Sequence, residues 1–179
     1  MRGLAARAEA NAARHGDASG WPNVLVATPG ARRYRRGMAV DPRIVWMPGG
    51  VRTEVHLGAE DTDGAFCLIV DAPQAGWSLP PHRHRNEAET IHIIAGEFEI
   101  EVDGLRSLLS PGETIHVPRG AIHSGANVGG YTGRRAVLFS PAGMEQFFLQ
   151  AGAPSEEHDR DIAATVALAI EHGWEFPAS

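Results

Sequence analysis

From Arg43 onward, apolar and polar residues follow one another in short runs separated by turn residues. Glu97-Phe98-Glu99-Ile100-Glu101-Val102 is the clearest: charged and apolar side chains alternate with period two, the pattern of a strand with one wet and one buried face. Asp103-Gly104 follows it with a hairpin turn. The runs Arg43 to Met47, Val51 to Leu57, Ala65 to Asp71, Ala88 to Ala95, Leu105 to Leu109, Thr114 to Val117, Ile122 to Val128 and Arg135 to Ser140 join it. Roughly nine or ten short strands at this spacing predict an all-β sandwich or barrel.

After Pro141 the texture changes. Gly143 to Leu149 reads as a short helix opened near a proline and closed by Gly152. A second helix is expected with Ser155 as cap, Glu156 and Glu157 in its first turn, Ile162, Val166 and Ile170 on the face that covers the barrel, and Gly173 at its end. Before the strands, residues 1–16 are rich in Ala and Arg, without the apolar stretch of a signal peptide, and read as a loosely docked helix. Val24-Leu25-Val26, followed by Arg32, Arg33, Arg35 and Arg36, reads as an edge or intersubunit strand beside a solvated basic face. The expected organisation is therefore an N-terminal extension (1–40), a β-barrel (41–140) and a helical tail packed on it (141–179).

Composition narrows the function classes. A chain of 179 residues has the length of one ordinary domain, and 21 Gly with 12 Pro suit many turns. The formal charge is −6 and all 16 basic residues are Arg, so a broad cationic surface for nucleic acid is not expected. No run approaches the ~20 apolar residues of a membrane span. Cys67 is the single cysteine, lies in an apolar run and is read as a buried, inert thiol, which fits a reducing cytoplasm.

The candidate chemistry lies between Gly76 and Asn127. His82 and His84 stand at i and i+2 on extended chain, so both imidazoles point to one side and can reach one ion. Glu89, at the start of the next apolar run, offers an oxygen. His123, after the turn Pro118-Arg119-Gly120, can close the site from across the barrel. Together they make three nitrogens and one oxygen, a set suited to Fe, Ni, Mn, Zn, Co or Cu.

Two motifs then carry a resemblance to the cupin superfamily. Gly76, His82, His84, Glu89 and Gly96 satisfy the spacing of its first motif, and Gly112, Pro118, Gly120, His123 and Asn127 that of its second. Ala142 to Phe148 and Glu171-His172-Gly173 also resemble the tail of small quercetin-dioxygenase-like cupins. The resemblance implies a jelly-roll β-barrel with short C-terminal helices, holding one divalent transition metal ion on His82, His84, Glu89 and His123. It further implies a small-molecule substrate and a homodimer paired through sheet edges, while the charge and hydropathy above lead to the expectation of no nucleic acid and no membrane partner.

The implied function is a metal-dependent dioxygenase acting on a small aromatic or enolisable compound. By analogy with related dioxygenases, Glu89 is the expected catalytic base for a substrate hydroxyl. The alternative is an isomerase or cyclase that uses no O2, or a non-enzymatic ligand-binding barrel. Trp46, Trp77 and Phe98 are candidate pocket walls as well as core residues. His92 stands three residues after Glu89, where such relatives often have Tyr, and period two turns it to the opposite face. His116 reads as structural, His56 as a weak pocket candidate, and Glu87 as solvated in the turn before its strand.

Overall fold

The period-two runs form strands in the computed structural model, which describes residues 41–156 and 161–177. In chain order these are β1 (Arg43–Met47), β2 (Val51–Leu57), helix α1 (Ala59–Thr62), β3 (Cys67–Ala72), β4 (Ser78–His84), β5 (Ala88–Ala95), β6 (Phe98–Val102), β7 (Leu105–Leu109), β8 (Thr114–Val117), β9 (His123–Asn127), β10 (Arg134–Ser140), helix α2 (Met144–Ala151), helix α3 (Ile162–Glu171) and β11 (Trp174–Glu175). The expected N-terminal helix, the Val24-Leu25-Val26 run and the arginine cluster lie outside the described residues.

Two antiparallel sheets result, in the orders β1-β2-β3-β10-β5-β8 and β11-β4-β9-β6-β7. This is the all-β jelly roll with short helices that the sequence led us to expect. The sheets share no ladder among the described residues, so packing of their inner faces closes the barrel, not a continuous ring of hydrogen bonds. That packing is apolar: Ile69, Ile91, Ile93, Phe98, Ile100, Val137 and Phe139 are each no more than 4% exposed and alternate with outward residues. Burying each such side chain stabilises the fold by about 1.5–3 kcal/mol relative to leaving it in water.

Strand β4 did not stand out in the pattern because Pro80-Pro81 interrupts it. Proline cannot donate to a ladder. The structure accommodates the pair where pairing lapses: the β4–β9 register shifts between Leu79 and His82, and β11 pairs with β4 only at His84 and Arg83. Helix α2 ends at Gly152, as expected. Helix α3 begins later than expected, because Asp161 and not Ser155 is its cap and accepts from the Ala163 N–H at 2.8 Å. Its Ile162, Val166 and Ile170 are 69%, 38% and 53% exposed, and the residue it buries is Ala169. Ala169 shares a stripe with Ile162 and Val166, and all three line the cavity, so this face does turn to the barrel while its larger side chains stay exposed.

Cys67 is fully buried, and burial pushes its thiol pKa up to about 12, which leaves it inert. No described helix is long and apolar enough to cross a membrane.

Candidate metal centre

The four candidate side chains come together. His82, His84, Glu89 and His123 are all buried, and one potential ligand atom from each lies within 4.8 Å of the others. The three histidines come from one sheet, since His82 and His84 sit on the inner side of β4 and His123 is the cross-strand partner of His82 on β9. Glu89, on β5, reaches in from the facing sheet. The sequence reading had placed His123 across the barrel, and the topology reverses this. The turn before β9 fixes the arrangement: Gly120 takes φ +81°, a region other residues avoid, and its N–H donates to the His84 carbonyl at 3.0 Å.

Backbone carbonyls set the imidazole orientations. His82 Nδ1 lies 2.9 Å from Pro80 O and His123 Nδ1 3.1 Å from Ala121 O. A carbonyl only accepts, so each Nδ1 carries a proton and each Nε2 turns inward. His84 Nε2 and His123 Nε2 stand 3.2 Å and 2.8 Å from Glu89 Oε2. Trp174 stacks on His82 at 4.4 Å and 13°, and meets His84 edge-on at 4.7 Å.

The electrostatics follow from burial and from these contacts. Burial, with His123 and His84 alongside, drives the His82 pKa down to about 3, so that imidazole is neutral. Burial also works against the Glu89 carboxylate, but His123 and His84 outweigh it and hold the group far below the ordinary range. Burial pulls His123 down, and its contact with Glu89 more than reverses the shift. A cation held by the cluster would take the place of a proton on His123 Nε2.

His82 Nε2 and His84 Nδ1 are buried without a hydrogen-bond partner, and His123 Nε2 has only its ion-pair contact with Glu89. Nitrogens left in this way are costly unless something binds them. Three imidazoles and one carboxylate therefore fit a single metal ion, and the donor set alone does not select among transition metals.

The cluster opens onto a cavity of about 430 Å³. Its walls include Trp77, Phe139, Phe147, Phe148, Trp174 and Phe176, with the polar pair Asp71 and Arg135. Of the expected walls, Trp77 lines it, whereas Trp46 and Phe98 do not. Trp174 and Phe176 were missed; their signal was the alternation Trp174-Glu175-Phe176 after Gly173. His92 and His116 lie on the outer face, bonded to Thr114 and Thr90. His56 turns outward to Glu54 at 2.8 Å. Glu87 does precede β5, but it is 5% exposed, not solvated, and burial raises its pKa. Asn127, the last residue of the second motif, ties loops together by donating to Pro73 O and Tyr131 O.

Residues 68–134 match the cupin domain family. Over 99 residues the chain is 32% identical to a quercetin 2,3-dioxygenase of Bacillus subtilis, covering 55% of this chain and 29% of that one. The chain spans between 29% and 41% of the lengths of the curated relatives it matches. Among solved structures, KdgF from Halomonas sp. superposes with a TM-score of 0.53 at 19% identity, over 58% of this chain and 90% of that one. An RmlC-like cupin from Shewanella frigidimarina gives 0.51 at 22%, over 59% and 88%. With both motifs in place on facing jelly-roll sheets, and with the domain family and fold matching as well, residues 68–134 of this chain are a cupin domain.

Proposed function

We propose that this chain is a metal-dependent dioxygenase acting on a small aromatic or enolisable compound, with His82, His84, Glu89 and His123 as ligands of one divalent transition metal ion. The observation that carries the reading is the buried ligand cluster at the end of a cavity walled by aromatic rings. The 32% identity to a quercetin dioxygenase supports the same chemistry. When bound, the ion would supply Lewis-acid polarisation of a chelating oxygen and a redox centre for O2.

The chain's own residues do the rest. Pro80 O and Ala121 O hold His82 and His123 with Nε2 inward, and Trp174 blocks rotation of His82. The aromatic walls exclude water and orient a flat substrate. Glu89, on shifting away from His84 and His123, takes the proton of the substrate hydroxyl, so the O–H bond breaks and its electron pair stays on the substrate oxygen.

Elemental analysis of the purified protein, beside O2-electrode assays of flavonols with each metal restored, tests the reading. Near-stoichiometric redox metal with substrate-dependent O2 uptake is expected; bound metal without uptake would shift the assignment to an isomerase or cyclase or to a non-enzymatic ligand-binding barrel. Glu89→Gln should lower turnover by at least about 100-fold while flavonol binding persists. Undiminished turnover would remove Glu89 as the base.

The reading includes a cytoplasmic homodimer paired through sheet edges. β7 and β8 end their sheets, and Leu105 and Leu108 on β7 are 77% and 64% exposed. Sedimentation as a monomer at micromolar concentration would remove the dimer.

A further inference from the structure

The metal cluster occupies one part of the cavity wall, and a second polar feature stands apart from it on β10. Arg135, Val137 and Phe139 point inward along this strand, and Phe139 is the cross-strand neighbour of Glu89. Four residues of strand separate Arg135 from Phe139, a rise of about 13 Å. Arg135 is 6% exposed. Its Nε and Nη2 form a fork on Asp71, at 3.0 Å to Oδ1 and 2.5 Å to Oδ2. Its guanidinium carbon lies 4.6 Å from the Trp77 ring centroid and 5.2 Å from that of Phe98.

This fork leaves Nη1 over. The nitrogen has no hydrogen-bond partner among the described residues, although its side chain is buried and lines the cavity. Gly125 keeps it uncovered: a Cβ there would stand 3.8 Å from Nη1, 3.9 Å from Trp77 Cζ3 and 3.0 Å from Ile100 Cδ1. Trp77 and Ile100 are cavity walls too, so Nη1 sits at the same lining. An N–H that no protein group accepts, at a cavity wall, is available to an oxygen of a ligand bound there.

The charge of the pair limits what can bind. Asp71 neutralises Arg135, so the pair offers donors without net positive charge. A carboxylate brought to Nη1 would lose its hydration and face Asp71 at close range. A carbonyl or hydroxyl oxygen accepts the same N–H without that repulsion.

We propose that Arg135 Nη1 is a second binding pole of the cavity, donating to an uncharged oxygen of a flat ligand whose chelating oxygens face the His82–His84–Glu89–His123 cluster. This rests on the proposed substrate class, and it adds that the substrate carries a second oxygen function remote from the chelating one.

The test is anaerobic calorimetry on the full chain with metal restored. The probes are 3-hydroxyflavone, its 4′-hydroxy and 7-hydroxy derivatives, and its 4′-carboxy derivative. One of the two hydroxylated probes should bind about tenfold more tightly than 3-hydroxyflavone, the advantage of a hydrogen bond to a charged donor, and the carboxylate should show no gain. In Asp71→Leu/Arg135→Met that affinity ratio should fall to about one, with metal content as a control. If the double variant does not fold, Arg135→Lys keeps the ion pair, removes Nη1 and should lose the ratio likewise.

A ratio of one in the unaltered chain, a ratio that survives in the variants, preference for the carboxylate, or no binding of any probe would overturn the proposal. Because O2 is absent, the result is independent of turnover: binding with the expected ratio but without later O2 uptake would sink only the dioxygenase reading.

Discussion

A single imidazole shows how much of the site rests on local contacts. His82 is neutral because it is buried beside two other histidines, is oriented by a carbonyl two residues back, and is covered by Trp174. His82→Ala should lower metal affinity at least about tenfold, read as metal retained after dialysis, since the cluster loses one of three imidazoles. His116→Ala should retain metal fully, because His116 lies outside the barrel and bonds to Thr90. Glu145 illustrates a different residue-scale device. It is 1% exposed on α2 and accepts from the N–H groups of Ala59 at 3.0 Å and Gly143 at 2.7 Å, placing one carboxylate at the starts of both α1 and α2. Burial opposes its charge, but the backbone donors outweigh burial and hold its pKa below the ordinary 4.5. A depressed carboxylate stabilises the fold fully above its unfolded pKa, and the contribution is lost as pH falls through the folded pKa. Glu145→Ala should therefore cost about 3 kcal/mol at neutral pH, by denaturant unfolding, and progressively less as pH falls below about 4.5.

At the scale of elements, the two-residue strand β11 has more influence than its length implies. It pairs with β4 at His84 and Arg83, and thereby brings Trp174 over the imidazoles. The indole N–H reaches Met144 Sδ of α2 at 3.1 Å, and the ring packs on Phe147 at 5.2 Å. Trp174→Ala should cost about 3–5 kcal/mol of stability, measured as a shift in denaturant midpoint, by leaving a cavity beside β4. Metal affinity should fall with it, although no ligand is altered. Trp174→Phe should recover most of the metal affinity by restoring a ring against His82. Helix α3 is the contrasting case. It joins the barrel chiefly through Ala169 and leaves Ile162 and Val166 at the cavity lining and largely exposed.

At the scale of the whole molecule, the cluster joins the two sheets. Three imidazoles belong to the five-stranded sheet and the carboxylate to the six-stranded one, and no hydrogen-bond ladder links these sheets among the described residues. A metal ion binding all four side chains thus cross-links the barrel. At a free metal concentration 100 times Kd the folded state should gain about 2.7 kcal/mol. For a chain of this size that is a rise in Tm of roughly 5–10 °C. Thermal melts with and without a chelator check this, and at the same metal concentration the rise should fall to about half or less in His82→Ala.

The strands and the four candidate ligand residues were legible because they depend on local pattern. Period two exposes Phe98, Ile100 and Val102 as one face, and two fixed spacings mark His82, His84, Glu89 and His123 whatever the rest of the chain does. Strand β4 was hidden because its prolines violate strand preference, and only a register shift against β9 makes room for them. The burial of Glu87, the exposure of Ile162 and Val166 on α3 and the aromatic cover by Trp174 and Phe176 depend on what packs against each residue, and no spacing encodes that. The same holds for which ligand crosses the barrel. His123 and Glu89 follow comparable turns, and strand order alone puts His123 beside His82 and Glu89 opposite. The sequence by itself thus determined the all-β class and the four residues of the buried cluster, since alternation and motif spacing act over a few residues. Tertiary structure decided the cavity, its Arg135–Asp71 pole and the union of the sheets at one cluster, because these depend on contacts between segments far apart in the chain.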